Sequence, residues 1–409
     1  VTLPWPELLA LALYGPLVVL WHELGHAVFA SLGGYRVVRF QIGLGAPLAR
    51  LGDVGSTHVT VGRLPFGGVC VAIPVRPASR RRVWFHAGGL VAQGALGLAL
   101  WATAVALGVV DAGTVGVGGV GDAANHPAWL VDAMRFNALV FVVNGLPWRF
   151  GGATSDGWHL LDALRDEGRG VLEILRQRPA FERLFRDETG GSALARAWAR
   201  VGLAWIDVVA GRSPPVAADD LGVDALAEAP YLDALATWVT AEAHRRASRP
   251  LAALRTARRK PGEAWSEDDV ALLRLAEGAA LVDLGEPEAA RRALAGVVGA
   301  RGIVARQALV VLLDATLDAD REHLEHAAWR VMRRVGEAWL DPVATSATLW
   351  AAGERLDELN RRAAADGIRE AARALADRTL RAAAAADRAA VRERLGPAAA
   401  TFGQRRHAP

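Results

Sequence analysis

His22-Glu23-Leu24-Gly25-His26 places two imidazoles four residues apart, with a carboxylate beside the first. On a helix, positions i and i+4 share a face, so both rings can reach one metal ion. Glu23 is then placed to take a proton from a metal-bound water. Zinc suits this set, being borderline-soft and keeping an open fourth position in catalytic centres. A chance match in a soluble helix would leave these side chains on a wet surface. Here they interrupt the apolar run 8–32. An ionised Glu costs about 2.5–3.5 kcal/mol or more at a bilayer centre, so intramembrane residues of this kind face a polar interior and carry function.

Catalytic zinc takes three protein ligands and a water, and the pentapeptide supplies two. The third must be a His, Asp or Glu that reaches the same depth. His86, Asp156 and His159 are the candidates. Asp156 also suits the N-cap of the helix that follows it, a role compatible with ligation. His159 lies three residues on and can orient Asp156 from behind. Asn137 and Asn144 stand two turns apart on one face of a third apolar run. Asn137 reads as an interhelical hydrogen-bonding residue. Asn144 precedes a Pro-broken backbone, tolerated at membrane depth only inside protein or a wet cavity, and reads as an active-site residue.

The elements that must hold these groups are apolar spans. Residues 8–32 reach about 37 Å as a helix, enough to cross a bilayer, and no Arg or Lys precedes Arg36 to make a signal peptide. Further spans are expected at 84–110 and 128–148, the last with Asp132 and Arg135 spaced to pair. Residues 1–164 hold only 10 of the 47 basic and 8 of the 44 acidic residues. That split predicts a membrane-embedded core over 1–165 and a soluble domain over 166–409. Eight arginines in the loop 33–83, against none in 111–127, place that loop and the C-terminal domain in the cytoplasm. A single cysteine, Cys70, excludes an intrachain disulfide. No block of like charges suggests a nucleic-acid partner. Forty-six arginines against one lysine, with abundant alanine, point to a GC-rich bacterial source.

Ordered motifs across residues 10–165 resemble the site-2 protease family of intramembrane zinc metalloproteases. They are HELGH; Gly43-Leu44-Gly45-Ala46-Pro47; Leu64-Pro65-Phe66-Gly67-Gly68-Val69, similar to the family's membrane-associated β-hairpin; Ala87-Gly88-Gly89-Leu90-Val91-Ala92-Gln93, similar to A-G-P-x-x-N; and Asn144-Gly145-Leu146-Pro147 followed by Asp156-Gly157. The resemblance implies His22, His26 and Asp156 as ligands of one zinc, Glu23 as general base, and Asn144 holding substrate backbone or oxyanion. It also implies a membrane-spanning protein substrate. The sequence departs from the family at two places. Pro147 and Asp156 are nine positions apart where the family has five, and Gly89 replaces Pro. The flanks of Gly67-Gly68 alternate as in strands, so a hairpin edge near the zinc is expected to clamp an extended substrate.

The soluble half is helical in pattern, with breaks at Pro214-Pro215, Pro250, Pro261-Gly262 and Gly285-Glu286-Pro287. Residues 275–297, within a unit at 264–298, resemble one tetratricopeptide repeat, with Gly278, Leu281, Ala290 and Leu294 at its packing positions; an ordinary helical bundle is the competing reading. Residues 370–395 read as one Ala/Arg-rich helix with a solvated face. The fold class is thus mainly α: about three transmembrane helices with a small β-hairpin, and an all-α, repeat-like C-terminal domain. The function read from these residues is intramembrane proteolysis by Glu-assisted attack of zinc-bound water, in a multi-pass protein of the bacterial inner membrane. Its C-terminal domain would bind a peptide or adaptor, or cap the membrane core. The alternative is a catalytically silent, membrane-anchored scaffold. A soluble-type peptidase on an anchor would carry HExxH outside the apolar run.

Overall fold

The computed structural model describes residues 5–55, 57–74, 82–109, 128–150, 153–165, 174–186, 192–212, 229–263, 265–298, 302–337 and 339–399. The chain divides into two compact units, 1–165 with 190–192, and 166–189 with 193–409. The loop 111–127, Pro214-Pro215 and His407 lie outside the described residues.

In the first unit, α1 (Trp5–Leu32) carries the HELGH residues and α2 (Arg82–Ala106) packs along it. Then follow α3 (Ala128–Gly145), a minimal ribbon of β3 (Arg149–Phe150) and β4 (Ala153–Thr154), and α4 (Asp156–Arg165). α1 is inside-out relative to a soluble helix. Leu17, Trp21, Leu24, Val28 and Leu32 are exposed, while His22, Glu23 and His26 are buried. Polar groups turned inward and leucines turned outward are what a hydrocarbon solvent selects. Among the described residues one helix, Val83–Ala106, is by length and apolarity a candidate span. Trp84 and Trp101 are both exposed on it, about 26 Å apart along the axis, close to the thickness of a bilayer core. On α3, Asp132 and Arg135 approach to 3.9 Å, as their spacing predicts.

Glycines let α1 and α2 touch backbone to backbone. A Cβ at Gly25 would lie 2.4 Å from the Gly88 carbonyl oxygen, and one at Gly88 would lie 2.6 Å from that of Gly25. Small residues of this kind permit close helix approach in membranes. The sheet is larger than the expected hairpin. β1 (Tyr35–Val54) and β2 (Thr57–Pro74) pair antiparallel from Tyr35↔Pro74 to Ile42↔Gly68 and from Pro47↔Gly62 to Val54↔Thr57. The reversal is at Gly55, and Gly67-Gly68 lies within β2. The two flanks of Gly67-Gly68 therefore do not pair with each other. They lie on either side of Arg39–Ile42, which neighbours both Gly68–Val71 and His58–Val61. Alternation alone cannot tell a strand's own partner from a shared one.

The second unit is all helical in its described residues: α5 (Arg178–Arg186), α6 (Ala193–Ala210), then helix pairs. These are α7 (Pro230–Arg246) with α8 (Pro250–Ala257), α9 (Glu267–Asp283) with α10 (Pro287–Val298), α11 (Ile303–Asp314) with α12 (Arg321–Met332), and α13 (Pro342–Glu358) with α14 (Arg362–Ala382). α7 packs on α9, α9 on α11 and α11 on α13, so one helix of each pair stacks on its counterpart in the next. The tetratricopeptide-like unit is α9 with α10. Ser266 and Asp269 form a capping box at its start, worth about 0.5–2 kcal/mol. Gly285 (φ +75°) makes its turn, and Gly278 admits Leu294, which a Cβ would meet at 2.7 Å.

The single solvated helix expected over 370–395 is two helices, α14 and α15 (Arg388–Leu395). α14 buries Ala372, Leu375, Ala376 and Leu380, and the break between them holds Asp387 fully buried. Arg178 Nε and Arg212 Nη2 each reach Asp387 at 2.8 Å, and Arg178 also bonds Asp207. Alanine's small volume hid a buried face that a hydropathy pattern reads as neutral.

Candidate metal centre

α1 delivers His22 and His26 from one face, one turn apart. Their Nε2 atoms lie 3.1 Å from each other, with the rings edge to face. Asp156, the first residue of α4, meets both: Oδ2 is 2.8 Å from His22 Nε2 and Oδ1 is 3.3 Å from His26 Nε2. All three ligand atoms fall within 4.8 Å of one another. The Phe85 carbonyl of α2 lies 2.7 Å from His26 Nδ1. A carbonyl only accepts, so Nδ1 carries the proton and the Nε2 lone pair is turned to the centre, the usual orienting arrangement behind a metal-bound histidine.

The donor set is two imidazole nitrogens and a carboxylate, which fits a catalytic zinc with an open position. The packing fits too. A Cβ at Gly89 would lie 2.5 Å from His22 Cε1 and from His26 Nε2, so only glycine leaves room for the rings. A Cβ at Gly68 would meet the Glu23 Cγ at 2.5 Å and Oε1 at 2.7 Å. Strand β2 thus rests on the Glu23 carboxylate. Burial, with Glu23 nearby, pushes the Cys70 thiol up to about 12, so it stays protonated.

Asp156 is brought in by a local clamp. The Ser155 hydroxyl donates to the Leu146 carbonyl and accepts from the Trp148 and Trp158 amides, each at 3.1 Å. Ser155 N–H donates to the Trp148 carbonyl at 3.2 Å. The extra residues between Pro147 and Asp156 are looped out as the β3–β4 ribbon. Gly157 then fits against the Gly145 carbonyl, where any Cβ would collide.

His86 and His159 stack on one another, ring centroids 4.9 Å apart, outside the His22–His26–Asp156 group. Asn144 is half-buried near the end of α3, next to the Gly145 that packs on Gly157. Asn137 donates to the Gln93 carbonyl at 3.2 Å, linking α3 to α2. Gln93 is fully buried, and neither atom of its amide has a hydrogen-bond partner among the described residues. Gly68, Gly89, Ser155 and the Phe85 carbonyl were not singled out as functional from the sequence. A backbone carbonyl leaves no trace there, and a glycine's role depends on what packs against it.

The sequence pattern described as Peptidase family M50 matches residues 9–374. No solved structure matches the chain.

Proposed function

Because the chain belongs to peptidase family M50, the site-2 protease family of metalloproteases, we propose that it is an intramembrane zinc endopeptidase acting on a membrane-spanning protein. One observation carries this reading: His22, His26 and Asp156 converge beside a buried Glu23, on a helix whose outward residues are apolar. His22, His26 and Asp156 would hold one zinc ion. Zinc, when bound, supplies a Lewis acid for the scissile carbonyl and lowers the pKa of water.

In this reading Glu23 accepts the proton of the attacking water and returns it to the leaving amine. The low-dielectric surroundings strengthen that transfer by excluding competing water. Asn144 donates to the oxyanion or to substrate backbone. The Gly68–Pro74 segment of β2 has β1 on one side and no strand on the other among the described residues. Its free edge suits strand addition by an unwound substrate segment, next to Glu23. In this reading α1 and α3 cross the membrane beside the candidate span α2, and the arginine bias of the sequence puts the second unit in the cytoplasm of a bacterial cell.

The test is Glu23→Gln in the full chain, purified in detergent, assayed for zinc content and for cleavage of a tagged single-span reporter. The variant is expected to keep about one zinc per chain while cleavage falls about 10²–10⁴-fold. Cleavage at the wild-type rate in Glu23→Gln, or a folded wild-type chain that takes up no zinc, would overturn the proposal.

A further inference from the structure

Between the helix pairs of the second unit lies a small cavity, partly open to solvent. Its walls come from the stacked helices α7, α9, α11 and α13 and the N-cap of α13; α8, α10, α12 and α14 contribute nothing to it. The apolar wall is Trp238, Leu275, Val310 and Val311. Trp238 is 2% exposed, and its indole N–H has no hydrogen-bond partner among the described residues.

Charge at the cavity is unbalanced at one point. Arg245 is matched by Glu242 at 2.8 Å and by Asp283 at 2.7 Å. Arg246 and Arg394 both close on Asp341, at 2.6 and 2.7 Å. Asp314 lines the cavity, and its carboxylate makes no hydrogen bond or ion pair among the described residues. Burial pushes its carboxyl up, against Arg245, and Asp283 adds to the rise. The imbalance extends through the layer. α7, α9, α11 and α13 carry 11 acidic and 5 basic residues, while α8, α10, α12 and α14 carry 6 acidic and 10 basic.

We propose that this cavity binds a basic segment of an extended peptide, seating one Arg or Lys side chain against Asp314. Its occupant is the cytoplasmic flank of the substrate. This rests on the intramembrane-protease reading, under which substrate flanks on the cytoplasmic side are rich in Arg and Lys. The cavity's apolar wall takes the side-chain stem and its acidic corner takes the charge. The unit would then hold a substrate by its soluble end, apart from cleavage.

The experiment uses the full chain in detergent and a labelled, soluble arginine-containing peptide, with its citrulline counterpart as the neutral isostere. Fluorescence anisotropy reads affinity directly and needs neither zinc nor turnover, so its outcome is separable from the Glu23→Gln test. The arginine peptide is expected to bind, with the citrulline peptide about tenfold weaker or worse. Asp314→Asn should weaken the arginine peptide by about tenfold at an unchanged unfolding midpoint. Glu322→Gln, which removes the same charge from the exposed face of α12, should change nothing. No binding of the arginine peptide, equal affinity for both peptides, wild-type affinity in Asp314→Asn, or an equal loss in Glu322→Gln would each overturn the proposal.

Discussion

Trp148 and Ser155 hold each other across seven positions of sequence. The Trp148 amide donates to the Ser155 hydroxyl at 3.1 Å, and the Ser155 amide donates to the Trp148 carbonyl at 3.2 Å. The chain between them is a side loop hung from two bonded residues. The long Pro147-to-Asp156 spacing does not remove the carboxylate from the histidines, which it meets at 2.8 and 3.3 Å.

It follows that the side loop is dispensable and the clamp is not. Deleting residues 150–153 restores a five-position spacing from Pro147 to Asp156 and leaves Trp148 and Ser155 in place. Zinc content is expected to stay at about one per chain, and cleavage to stay within a few-fold of wild type. Ser155→Ala removes an acceptor from two amides and should cost about 1–2 kcal/mol of stability, with weaker zinc retention. A deletion variant that loses its zinc would show that the ribbon itself positions Asp156.

The HELGH residues, Asp156 and the helical nature of each apolar run were legible because each leaves a mark in one dimension: a spacing, a ligand type, a hydropathy run. The approach of α2 to the imidazoles was not. Gly89 looks like any helical glycine until His22 and His26 are seen to occupy the space of its Cβ. The helical array was under-read for a related reason. Only α9 and α10 join through a Gly-Glu-Pro turn with a small residue under Leu294. The other pairs turn on Ala247–Arg249, Ala315–Asp320 and Leu359–Arg361, which carry no comparable signature. Burial of Asp387 depends on Arg178 and Arg212, far away in sequence, and no local pattern encodes that.

The two glycines that touch the site should separate ligation from catalysis. Gly89→Ala puts a methyl 2.5 Å from both imidazoles, so the rings must move and zinc binding should fall by an order of magnitude or more. Gly68→Ala puts its methyl against the Glu23 carboxylate and leaves the ligands alone. It should retain zinc and lose cleavage by about 10²-fold, as misplacement of a catalytic group by about 1 Å does. Equal effects of both changes on zinc would contradict the packing described for Gly68.

Asp341 sets the acid stability of the helical unit. Burial alone would raise its pKa, but Arg394 and Arg246 more than offset this and hold the carboxyl below the usual carboxylate range. A folded-state pKa below the unfolded one means the contribution is complete above about pH 4 and is lost as pH falls through the lowered value. Thermal unfolding followed by circular dichroism should show the wild-type midpoint dropping below about pH 4. Asp341→Asn should cost about 3–5 kcal/mol at neutral pH, because two half-buried guanidinium groups lose the buried carboxylate they share. The same variant should show a flatter acid limb. An acid limb as steep as that of the wild type would assign it to other carboxylates.

Gln93 differs from its buried polar neighbours Asn137 and His26 in that no atom of its side chain is hydrogen-bonded among the described residues. Asn137 donates to its backbone carbonyl, His26 has the Phe85 carbonyl, and Asp156 has both imidazoles. The Gln93 amide is fully buried, with neither its nitrogen nor its oxygen hydrogen-bonded among the described residues. An unsatisfied buried amide costs about 1–3 kcal/mol, and replacing it by an apolar group of like shape removes that cost. Gln93→Met should therefore raise the unfolding midpoint in detergent while zinc content stays unchanged, since α2 reaches the imidazoles through Gly89, one turn earlier. A midpoint that falls instead would mean that the amide is hydrogen-bonded in the working protein, and would make Gln93 the next residue to place in the active site.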